Sequence, residues 1–199
     1  MQTLGLSSES KRADGRLKSL FWPTVENAWD VDYLGQQGMW ICTILAVLTL
    51  VLPALTGNMV LIATGILSAL FYLLGGIGVR QGSWPAAAAV FSVYLLNMFI
   101  SGIGVISVIF AAVLLSNVRA AFLASEWKPV ELNTGPGEAD LPTRFNETLA
   151  DKYIDQMPAK LWPKLQIVFL VLAIVMVLLS LVGAGVIAAQ RLGLLPHPH

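Results

Sequence analysis

Chemistry inside a lipid bilayer rests on polar side chains that hydrocarbon would otherwise reject, and this sequence holds few of them. Asn97 lies deep in the third uncharged apolar segment and Asn117 in the fourth, and Ser68, Ser92, Ser101 and Ser107 are further polar neutral groups. A buried amide needs partners, typically a hydroxyl or a backbone carbonyl on a neighbouring helix. Asn97 can therefore serve as glue between helices or line a path for a neutral solute. Ionisable groups are scarcer still. No Asp, Glu, Lys, Arg or His occurs from Tyr33 to Val79, nor from Gln81 to Val118. Proton relays and charged-substrate paths through a membrane rely on such groups, so both lack their usual residues here. Arg119 comes nearest, and its long stem lets the guanidinium snorkel to an interface.

Catalytic and metal-binding patterns are equally thin. Cys42, the single cysteine, cannot form an internal disulfide and stands far along the chain from His197 and His199, which argues against a Cys-His nucleophile. The two histidines, at i and i+2 with no Cys or carboxylate beside them, make at most a weak adventitious metal site. No Gly-x-Ser-x-Gly, His-Glu-x-x-His or phosphate loop is present. Gly75-Gly76-Ile77-Gly78 closes an apolar helix instead of following a strand, so it is not a dinucleotide fingerprint. The expectation is a non-enzymatic protein without cofactor or metal. A net charge of zero gives no argument for a nucleic-acid partner.

The elements that must position these residues are membrane spans. Apolar residues make up 56% of the chain and charged ones 12%, about half the globular norm of roughly 25%. The uncharged stretch from Tyr33 to Val79 holds 47 residues, which as one helix would reach roughly 70 Å, against a hydrocarbon core of about 30 Å. It therefore folds back on itself. Pro53 helps end the first pass, and Thr56-Gly57-Asn58 supplies the turn. The first span runs from about Gly38 to Leu55 and the second from Asn58 to Val79. Gly65 and Ala69, four apart, form a close-packing face on the second. About 37 mostly polar residues precede the first span, against a cleavable signal peptide.

The next uncharged run, Gln81 to Val118, has 38 residues, again too many for one pass. Its only break is Ser101-Gly102-Ile103-Gly104. A turn there makes Pro85 to Ile100 a third span and Gly104 to Leu123 a fourth. It also places all the basic residues but Arg191 on one side, eleven of twelve, whereas without it they divide six and six. Positive charge collects on the cytoplasmic side, so the turn is the better reading. A last span covers Leu165 to Gln190, with Ser180, Ala184 and Ala188 as a small-residue stripe.

The fold class that follows is all-α: a polytopic helical membrane protein with five transmembrane helices and two interfacial amphipathic helices. Phe21, Val25, Trp29 and Tyr33 recur every four residues along the first amphipathic helix, which Gly35 ends. Phe145, Leu149, Tyr153 and Met157 do so along the second, which Thr143 caps and Pro158 ends. The chain thus divides into a basic tail with an interfacial helix (1–37), a four-span bundle (38–124), a loop with the second amphipathic helix (125–163) and a final span with a short external tail (164–199). The sequon at Asn146 falls on the cytoplasmic side, where glycosylation would not reach it. The two aromatic stripes must rest on lipid, on each other or on a partner. The expected partners are the bilayer and a membrane protein or a second copy of this chain. The expected function is that of an accessory, scaffold or assembly subunit acting through helix packing and its cytoplasmic face. The alternative is a transporter or channel component for a neutral or lipid-like solute. The expected location is a plasma or inner membrane, N-terminus inside and C-terminus outside.

Overall fold

A computed structural model of the chain describes residues 24–25, 28–126, 153 and 157–192. Among them are five helices: α1 (Ala28–Thr56), α2 (Met59–Arg80), α3 (Trp84–Ser101), α4 (Val105–Glu126) and α5 (Met157–Arg191). Each is long and apolar enough to cross a membrane. The 18 residues of α3 reach about 27 Å, close to the least that spans a bilayer.

Short turns set the up-and-down course. Gly57 and Gly102 both adopt positive φ, 67° and 104°, a region that a Cβ disfavours. The chain thus does turn after Ser101, and the second long uncharged run is two helices. At the first turn Asn58 caps α2, its Oδ1 accepting from the backbone N–H groups of Val60 at 2.9 Å and Leu61 at 3.3 Å.

Two expected helix ends are not where the sequence put them. Gly35 does not stop a separate helix, because α1 runs unbroken through it and takes Trp29 and Tyr33 into its own first turns. Val25 lies outside any helix. The missing Cβ at Gly35 serves packing: an added one would come within 3.3 Å of the Val79 carbonyl oxygen. Pro158 likewise ends nothing. It occupies the first turn of α5, where proline costs no hydrogen bond because those N–H groups have no intrahelical partner. Met157 accordingly begins the last span, and Pro163 lies inside it. Phe21, Phe145, Leu149, the sequon and both histidines lie outside the described residues.

The helices close a ring in the order α1, α2, α5, α3, α4 and back to α1, and α2 also packs on α3 across it. Helix α2 touches three neighbours, and glycines make the room. Gly76 faces α1, where an added Cβ would sit 2.8 Å from the Cβ of Cys42. Gly75 faces Val90 of α3 and Phe169 of α5, and Gly78 faces Ala86 of α3 and Trp162 of α5. Further along, Gly65 lies against the Thr49 carbonyl oxygen and the Pro53 ring of α1, with Ala69 buried one turn on. In lipid no hydrophobic force draws helices together, so close van der Waals contact of this kind must do so.

Packing is uneven along the bundle axis. The last buried residue is Ala46 on α1, Tyr94 on α3 and Ser180 on α5, and the first is Gly65 on α2 and Val113 on α4. The buried core thus fills the half that carries Arg80 and Trp162, and the half near Gly57 and Gly102 is loose. An aromatic series, Trp162, Phe169, Phe71 and Tyr72, runs through that core with ring centroids 5.3 to 5.7 Å apart.

Replacing Gly76 by Leu should lower stability by about 2 to 3 kcal/mol, the cost of overpacking against an immovable Cβ. Gly185→Leu, at a position with open space around it, should be near neutral. The shift in the SDS unfolding midpoint reads both.

Candidate functional site

Two polar clusters emerge from this packing. The first centres on Asn97, half-buried on α3. Its side-chain oxygen accepts from the Ser180 hydroxyl of α5 at 3.4 Å, and its amide lies within hydrogen-bonding reach of the Tyr72 hydroxyl of α2. One asparagine thereby joins three helices in the interior of the membrane-spanning region. A cleft of about 170 Å³ opens beside it, with Thr64, Ser68, Asn97 and Ser180 forming its polar side. Leu67, Met176, Leu179 and Ile100 form the apolar side. Ile100 is shared with a second cleft of about 190 Å³ between α3 and α5, which is also lined by Phe99, Ala184, Ile187 and Ala188. The small-residue stripe of the last span therefore divides: Ser180 meets Asn97, whereas Ala184 and Ala188 border an open groove.

The second cluster lies at the tightly packed end. Asn117 is buried on α4, and its side-chain amide donates to the Val113 carbonyl at 2.9 Å. Gly38 of α1 makes room for it: an added Cβ there would come within 2.7 Å of the Asn117 side-chain oxygen. Arg80, at the end of α2, donates to the Asp32 carboxylate near the start of α1 and to the Asp32 carbonyl oxygen at 3.4 Å. Asp32 is largely exposed, so solvent screening limits the pair to about 1 kcal/mol or less. Arg119 is half-buried two turns before the end of α4.

One residue of the second aromatic stripe packs on α1 here. Tyr153 hydrogen-bonds Thr43 of α1, hydroxyl to hydroxyl at 2.9 Å, and its ring lies 6.2 Å from that of Trp40. Tyr33 and Trp40, seven residues apart on one face of α1, are 46% and 43% exposed. Sequence reasoning singled out Tyr33 and Tyr153 but missed Trp40 between them. It also missed Tyr72 as a partner of Asn97, although Tyr72 is the one polar aromatic in the second span.

The chain matches no family model, no curated protein and no solved structure.

Asn97→Leu should cost about 1 kcal/mol, the range of interhelical hydrogen bonds in membranes. Combined with Ser180→Ala in a double-mutant cycle, it should show a coupling of about 0.5 kcal/mol or more. Strictly additive effects would mean that the two side chains do not interact.

Proposed function

We propose that this protein is a non-enzymatic accessory, scaffold or assembly subunit of a membrane complex, acting through helix packing and through the face at its charged end. The observation that carries this reading is the aromatic surface at that end. Tyr33 and Trp40 are exposed on α1, and Tyr153 reaches Trp40 and Thr43 from a distant part of the chain. Tyr and Trp supply large contact area at low entropic cost and are the residues most enriched at interface hot spots.

The filled core favours the same conclusion. Space opened by Gly38, Gly65, Gly75, Gly76 and Gly78 is taken by neighbouring backbone or side chains, and Asn117 and Asn97 are held by protein partners. A body packed in this way offers its surface for work. In this reading the charged end is cytoplasmic, because eleven of the twelve basic residues belong to it. The N-terminus is then inside and the C-terminus outside, in a plasma or inner membrane. Tyr153 of the second stripe rests on Trp40 and Thr43 at that interface.

Mild-detergent purification from native membranes, followed by mass spectrometry, should recover a stoichiometric partner. Trp40→Ala and Tyr33→Ala should release it without changing the SDS unfolding midpoint by more than about 1 kcal/mol. Recovery of the protein alone, or retention of the partner by both variants, would overturn the reading. For orientation, a reporter fused after His199 should be active only outside the cytoplasm.

A further inference from the structure

We propose that the cleft between α2, α3 and α5 binds an uncharged amphiphile, whose hydroxyl or carbonyl group is held by Asn97 and Ser180 and whose alkyl chain lies along Ile100 and Ala184. This goes beyond the subunit reading and does not depend on it. Four observations lead there.

The first is size. A cavity of roughly 150 Å³ in a protein core admits benzene, so about 170 Å³ beside Asn97 holds a small ring or a comparable length of chain. The second is the combination of polarity and setting. Thr64 and Leu179, on the cleft's rim, are exposed on the apolar flank of the bundle, so the opening faces hydrocarbon, where no water is at hand to satisfy Ser68, Asn97 and Ser180. Asn97 and Ser180 bond each other, and any further hydrogen bond to their spare lone pairs comes from a molecule dissolved in the lipid.

The third is the state of the polar pair itself. Ser180 and Asn97 stand 3.4 Å apart, well beyond the usual 2.7 to 2.8 Å of an O–H···O bond. Each oxygen retains capacity for a stronger bond to a hydroxyl or carbonyl entering between α3 and α5. The fourth is the gradient along the seam. Past Ile100 the lining becomes wholly apolar, with Phe99, Ala184, Ile187 and Ala188, the surface an alkyl chain requires. Among the described residues no ionisable side chain lines either cleft, and an unpaired charge there would carry a heavy desolvation cost. The ligand class is accordingly a neutral lipid alcohol or carbonyl-bearing lipid, not a fatty acid anion or a phospholipid headgroup.

The test uses the full chain in phosphatidylcholine nanodiscs and three photoactivatable diazirine probes of equal length: a long-chain alcohol, the parent hydrocarbon and the fatty acid. After photolysis, mass spectrometry maps the adducts. The alcohol should label peptides containing Ser68, Ile100 and Ala184, and excess unlabelled alcohol should suppress that labelling. Asn97→Ala should lower it about five- to tenfold, the equivalent of one lost hydrogen bond, while labelling by the hydrocarbon stays unchanged. Should Asn97→Ala unfold the bundle, Ala184→Phe, which fills the apolar arm from its rim, should produce the same selective loss. Equal labelling by alcohol and hydrocarbon would overturn the proposal. So would labelling by the fatty acid as strong as by the alcohol, adducts spread over the lipid-facing Val47 and Leu52 of α1, or indifference to both substitutions.

Discussion

Three helices approach α2 within four residues of its chain, and they do so because three of those residues have no side chain. Gly76 receives α1 through Cys42, and Gly75 and Gly78 receive α3 and α5 through Val90, Ala86, Phe169 and Trp162. Dispersion forces fall away within an ångström of the optimal separation. In hydrocarbon, where burial of apolar surface adds nothing, such proximity is the main source of cohesion. Ile77, the one residue of the four with a side chain, is itself buried. The ring of five helices therefore depends on a short segment near one end of one helix.

An anchor at one end has a consequence at the other. Helices that converge on Gly75 to Gly78 must diverge with distance, unless a second contact holds them. Between α1 and α2 there is such a contact, Gly65 against the backbone of Thr49. Between α2, α3 and α5 the equivalent place is taken by Asn97, Ser180 and the cleft beside them. The polar cluster thus sits where cohesion by close contact runs out, and a hydrogen bond between side chains takes over. The same divergence leaves the last eleven residues of α5, from Leu181 to Arg191, without one that is buried among those whose side chains are described.

Much of this was legible in the sequence, and the parts that were not share a cause. Spans are read from charge and length, and those signals are strong: the turn at Gly102 followed from a run too long for one pass, its single break and the sidedness of twelve basic residues. Which residues touch is a matter of geometry that composition does not carry. Gly35 looked like a helix stop because glycine commonly is one, yet it stands in line with Gly38, Cys42 and Ala46, at spacings of three and four, as a small-residue face turned toward α2. That pattern was available and points to packing. Pro158 misled in the same way, since proline closes one helix or opens the next and the local sequence does not distinguish the two. Asn97 was singled out as an amide in need of partners and lies half-buried, but its partner Tyr72 lies on another helix, in a run where only Ser68 was named among the polar groups.

The central claim, that α1, α3 and α5 are gathered on the glycines of α2, is most directly tested by the one cysteine. Cys42 is fully buried with its Cβ against Gly76, so it reports on that contact without any engineered label. The folded protein in lipid bilayers is exposed to N-ethylmaleimide, in parallel with protein unfolded in SDS, and modification is followed by intact mass. The structure predicts that Cys42 stays unmodified in the bilayer over the time in which the unfolded chain reacts to completion. Modification at a similar rate in both would mean that α1 does not lie against α2 at Gly76, and the packing scheme described above would be wrong.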